Sequence, residues 1–250
     1  MDIAVMGVCA ALYAVVGRLT DFGVTFVGVA FWPAAVIPAI FAVLYGPLVG
    51  GLGAAIGIFA RDMLFHGDPL LSVMAGVSSN FVMFFIIGYF SRQNLDRGKF
   101  LASAALAGAV VVIGLLLPTL VLPEEFTAFT GLSTFWIVII SVVALVLSLT
   151  VIAVISWRWS EWRSYSVGSV IGQGVGAIIV AVGVWAYSQL FFSASGYIKA
   201  PINVSFIPII FVWTFATEIP FVLLFGPPVI KVCYKAFPFL RTQRIEDRAK

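Results

Sequence analysis

Long apolar runs broken by short polar ones dominate the chain. Eight apolar segments can be marked, at about 3–17, 28–45, 47–64, 70–90, 100–122, 132–155, 168–192 and 205–233. A hydrocarbon core of about 30 Å takes roughly 20 apolar residues per helical crossing, and lipid offers no partner for a loose backbone N–H or C=O. Each run is therefore expected to be a helix. Membrane β-strands would show as segments of about 10 residues with alternating polarity, and no such alternation is sustained. The expected fold is all-α: a polytopic transmembrane bundle of about eight helices. Tyr45-Gly46-Pro47 separates the second and third runs, and this turn signal predicts a tight antiparallel hairpin. The first run is short for a full crossing, and 18–27 reads as a re-entrant or surface loop.

Composition agrees with the pattern, since 62% of the 250 residues are hydrophobic and 10% charged, against about 25% charged in a soluble domain. The first run begins almost at Met1, without a Lys/Arg-rich leader or a small-residue cleavage site, and reads as a retained span. Cys9 and Cys233 fit neither a disulfide framework nor a Cys-rich metal site. No linker divides the chain, so 1–236 is expected to be one transmembrane domain and 237–250 a charged cytoplasmic tail. Lys and Arg accumulate in cytoplasmic loops. With the N-terminus inside, the inner loops hold Arg92, Arg97, Lys99, Arg158, Arg163 and six cations from Lys231 onward, while the outer loops keep Arg18, Arg61 and Lys199. This split of eleven to three predicts a multi-pass cell-membrane protein with both termini cytoplasmic. It also explains the net charge of +3 without nucleic acid as a partner.

Polar groups inside or beside spans are expensive and invite a functional reading. The densest group runs from Arg61 and Asp62 to His66 and Asp68. It reads either as a solvated loop with an Arg/Asp pair, or as an outward-facing pocket in which Asp62 and His66 share a helical face. Asn80 and Glu218 fall near the middle of the fourth and eighth runs. Each would bond a neighbouring helix or a ligand, and a carboxylate at Glu218's depth must be paired, protonated or hydrated. Gly7, Ala10, Ala11 and Ala14 line one side of the first run, and Gly50, Gly53 and Gly57 the third. These small residues suit close packing within the chain or docking of another membrane subunit. Trp157 to Arg163 reads as an interfacial anchor. There is no Walker-type loop and no His-Glu-x-x-His motif, and one histidine supplies no haem pair. No cofactor or metal is expected.

Phe31-Trp32-Pro33-Ala34-Ala35-Val36-Ile37-Pro38, followed by Leu44-Tyr45-Gly46-Pro47 and the Gly/Ala-rich stretch to Gly57, resembles the substrate-binding S component of an energy-coupling factor (ECF) transporter. The likeness continues through Asp62, Gly67, Asn80 and Gly88-Tyr89-Phe90, covering residues 5–92. It implies a helical module that captures a vitamin-like nutrient at the outer surface and docks onto a transmembrane subunit driven by two cytoplasmic ATPases. The absent P-loop fits that arrangement. Ala10 and Ala14 are similar to the family's first-helix docking motif, with Gly7 on the same side. Two features depart from the family: S components usually have six helices, so an added pair beyond residue 100 around a six-helix core is one reading, and Asp2 stands where nickel and cobalt members resemble one another in a His. A divalent metal substrate is therefore disfavoured. Substrate contacts are expected from Asp62, His66 and Asn80, with Phe31 and Trp32 enclosing the ligand and Glu218 and Trp213 as further candidates. The leading expectation is binding and transport of a small organic nutrient, without enzyme activity. The alternatives are an accessory or structural subunit that binds lipid or a partner, and an intramembrane enzyme using Asp62, His66 or Glu218.

Overall fold

The computed structural model describes residues 2–21, 25–26, 29–95, 160–193 and 196–240, with isolated positions between 98 and 154. The described residues form an α-helical bundle. Helix α1 spans Asp2–Thr20; a two-residue antiparallel pair follows, β1 Thr25–Phe26 with β2 Val29–Ala30, in register Thr25 to Ala30 and Phe26 to Val29. A 3-10 turn at Pro33–Ala35 leads into α2, Val36–Tyr45. Helix α3 is Pro47–Phe65, α4 Pro69–Arg92, α5 Arg163–Leu190 and α6 Phe206–Ala236. All but α2 are long and apolar enough to cross a membrane.

The second run departs from its expected extent. Residues 28–45 read as one span, but the helical part starts only at Pro33. Proline disfavours the α conformation in the residue before it, and Trp32 sits at φ −134° and ψ 63°. The preceding residues pair as strand β2 instead. The α2–α3 hairpin forms as expected, with Gly46 at φ 121° between the helices, a conformation that Gly adopts readily. The fifth and sixth runs, 100–122 and 132–155, lie outside the described residues apart from isolated positions, as does 241–250 of the tail.

Within α4, Ser72–Val77 is a π-helical segment. Such insertions change the register of the side chains that follow and are frequent at functional sites. Helix α6 contains Pro220, Pro227 and Pro228; membrane helices tolerate such residues where neighbours satisfy the freed carbonyls. At one end of the bundle, Arg92 donates to the Ala42 carbonyl at 2.9 Å and Ser164 to the Gln93 carbonyl at 2.9 Å. The ends of α2 and α4 and the start of α5 therefore meet there, while the strand pair and the α3–α4 turn lie at the opposite end. Trp162, expected at the interface, is buried against Tyr165 with ring centroids 6.0 Å apart.

Candidate functional site

Near the strand-pair end, α3, α4, α5, α6 and β2 line a cavity of about 80 Å³, room for roughly two to three waters at about 30 Å³ each. Its walls are mostly apolar, with Ile58, Leu71, Ala75, Val180, Val184 and Ile198 among them. Set into these walls are Trp32, Arg61, Asp62, His66, Asn80, Thr214 and Glu218. A mostly apolar concavity with a few fixed polar groups is the usual form of a small-molecule site.

Helix α3 supplies the charged rim. It continues to Phe65 with His66 as its C-cap, so Asp62 and His66 share a face as the spacing predicted. Arg61 donates to Asp21 at 3.2 Å and to Asp62 at 3.2 Å, while Ser72 donates to the other Asp62 oxygen at 2.8 Å. The Arg61 guanidinium lies over the rings of Trp32 and Phe65, 4.7 and 4.1 Å from their centroids. Arg61 and Asp62 are almost fully buried, so this pair is part of the interior and not a solvated loop. His66 Nδ1 accepts the backbone N–H of Asp68 at 3.1 Å, which leaves Nε2 to carry the proton of a neutral ring. Nε2 faces Asp62 at 3.7 Å. The imidazole stacks on Tyr197, with centroids 5.0 Å apart. Burial pushes the Tyr197 hydroxyl above its ordinary pKa, nearby Arg61 opposing and Asp62 adding to the shift.

A second network joins three distant segments. Trp32 Nε1–H donates to the Tyr13 hydroxyl at 2.6 Å, Tyr13 donates to Asn80 Oδ1 at 2.5 Å, and Asn80 Nδ2 donates to the Gly76 carbonyl at 2.9 Å. Tyr13 is fully buried. It holds α1, Trp32 of the segment between β2 and α2, and α4 in one arrangement around the cavity. At the start of α4, Asp68 accepts from the backbone of Leu70 and Leu71 as N-cap and from the Tyr187 hydroxyl.

Of the residues expected to bind substrate, Trp32, Asp62, His66 and Asn80 come together on this cavity and Phe31 does not. Phe31 packs edge-on against Phe221 instead, with ring centroids 5.7 Å apart. Glu218 lines the cavity, whereas Trp213 donates to the Val29 carbonyl at 3.0 Å and ties down β2. Sequence reading did not foresee Tyr13 or Thr214 here, and no local pattern marks either one.

The expected docking residues separate. Ala10 is buried and does not offer a free face; its backbone is what a side chain at Gly57 of α3 would strike. The small side chain at Ala10 allows α1 and α3 to approach closely, a packing role within the chain. Among the described residues, Gly7 is exposed, with open space where a side chain would project, Ala11 one turn later is also exposed, and Ala14 is half-buried.

The fold and cavity define a helical membrane protein with a mostly apolar pocket, set with a few polar groups, near one end of its bundle. A UPF0397 protein of Vibrio atlanticus (strain LGP32) is 33% identical over 145 residues, which cover 52% of this chain and 78% of that protein. The chain belongs to the UPF0397 family. An uncharacterized protein of Pyrococcus woesei is 33% identical over 73 residues, 29% of this chain and 47% of that protein. No family model matches the chain, and no solved structure matches it.

Proposed function

We propose that the chain is the substrate-capturing subunit of an ECF-type importer for a small organic nutrient. The observation that carries this reading is the cavity, in which Trp32, Asp62, His66 and Asn80 converge between apolar walls. Capture is by binding alone, followed by transport without covalent chemistry. With the strand-pair end facing outward, the cavity lies on the side from which a nutrient arrives. Docking onto an ECF transmembrane subunit with its two ATPases uses the open side of α1, where Gly7 and Ala11 stand one turn apart. Small groups at this spacing let a partner helix come close.

The test begins with native mass spectrometry of the purified protein to identify the molecule it retains. Calorimetric titration of that molecule into Asp62→Ala and His66→Ala follows. Loss of one buried hydrogen bond to a ligand costs about 1–3 kcal/mol, or roughly a 5- to 150-fold weaker Kd, with unchanged size-exclusion profiles. Retention of lipid alone, together with a fixed protein partner other than an ECF subunit, would replace capture with a role as accessory subunit.

A further inference from the structure

We propose that the cavity selects a small organic cation, a protonated amine or amidinium, with the Glu218 carboxylate as its counter-ion. The proposal rests on the cavity being a ligand site and goes further by naming the charge of the ligand.

Glu218 stands twelve residues along α6, about 18 Å from the helix start at 1.5 Å per residue. It lines the cavity and is 6% exposed. Its Oε2 is buried without a hydrogen-bond partner, and among the described residues no cation pairs with it. The other polar groups of the cavity are largely committed. Arg61 is neutralised by Asp21 and Asp62, Asn80 bonds Tyr13 and Gly76, and Thr214 donates to the Ile210 carbonyl at 2.9 Å. The fully buried Gln173 amide is a hydrogen-bonding neighbour of the Glu218 carboxylate, but it carries no charge to balance it.

A carboxylate taken out of water without a counter-charge is costly, and removing one partner of a buried pair is strongly destabilising. A ligand bearing N⁺–H groups supplies the missing charge and donors together, through hydrogen bonds roughly twice as strong as neutral ones. An anionic ligand meets the opposite situation, since Arg61, the one Lys or Arg among the described residues of the wall, already has two carboxylates. The cavity is small, about 80 Å³, so it holds the charged group and the few atoms next to it.

The test uses the full-length protein in zwitterionic-lipid nanodiscs, with empty discs as blank and ligand-observed NMR titration as the readout. The probes are benzylammonium, its neutral isostere benzyl alcohol and the anion benzoate. Benzylammonium is expected to bind at least tenfold tighter than benzyl alcohol, benzoate to bind weakest, and Glu218→Gln to reduce the cation to the level of the alcohol. The ratio of cation to alcohol in the parent protein decides the matter even where the variant fails to fold. Equal or tighter binding of the alcohol or benzoate in the parent, or cation binding unchanged in a folded Glu218→Gln, overturns the cation assignment alone. Binding of none of the three above the blank overturns both the assignment and the cavity as a ligand site.

Discussion

Tyr13 is the residue on which the cavity's geometry depends most. Its hydroxyl satisfies Trp32 Nε1 and Asn80 Oδ1 at once, so Tyr13→Phe keeps the ring and strands two buried polar groups. Such a group costs about 1–3 kcal/mol when left unpaired. Unfolding in mixed micelles is expected to show a loss in that range, and a loss below about 0.5 kcal/mol would mean that the network rearranges freely. Asp68 gives a pH signature. Burial alone would raise its pKa, but the Leu71 backbone, the Tyr187 hydroxyl, the Leu70 backbone and nearby His66 outweigh burial and hold the carboxyl below its ordinary value. A carboxyl with a depressed folded-state pKa stabilises the fold above its unfolded pKa, and that contribution is lost as pH falls through the folded value. Asp68→Asn should therefore be less stable than the parent near pH 7, with the gap closing below about pH 4. A gap of constant size across that range would remove the charge from the account. Asp62, His66 and Trp32 were legible because they fall within one polar cluster and one motif. Tyr13 was not, because it lies 67 residues from its partner Asn80 and looks like any aromatic in an apolar run.

At the scale of elements, hydropathy placed α3, α4, α5 and α6 within a few residues, because each carries its apolar signal without interruption. It overran α2, where the apolar run continues through residues that pair as a strand and only Pro33 marks the change. Small residues in apolar helices were the ambiguous signal: composition cannot tell a face packed inside from one left open. The structure separates them, with Gly57 against the Ala10 backbone and Gly7 with no atom of the described residues within 4 Å of where a side chain would begin. Gly57→Val is expected to force α1 and α3 apart and lower stability by about 1–3 kcal/mol, the usual range for overpacking. Ala11→Trp should leave unfolding unchanged while reducing co-purification with an ECF transmembrane subunit. If the Trp variant still assembles like the parent, this face of α1 is a lipid contact.

For the whole molecule, orientation follows from where the cations fall once the helices are in place. The end where Arg92, Arg163, Lys231 and Lys235 gather is also where α2 and α4 finish and α5 starts. The opposite end, with the strand pair and the cavity, keeps Arg18, Arg61 and Lys199, and Arg61 is already paired within the interior. Cations are retained on the cytoplasmic side during insertion, so the cavity end is expected to face out. Asn94 and Ala200 report on this, being exposed and in the segments that follow α4 and α5 at opposite ends. In a background with Cys9 and Cys233 replaced by Ser, Ala200→Cys should react with a membrane-impermeant thiol reagent in intact cells. Asn94→Cys should react only after the membrane is opened. The reverse pattern would turn the cavity toward the cytoplasm and end the reading of the chain as a nutrient-capturing subunit, because a pocket opening inward has no access to an external ligand.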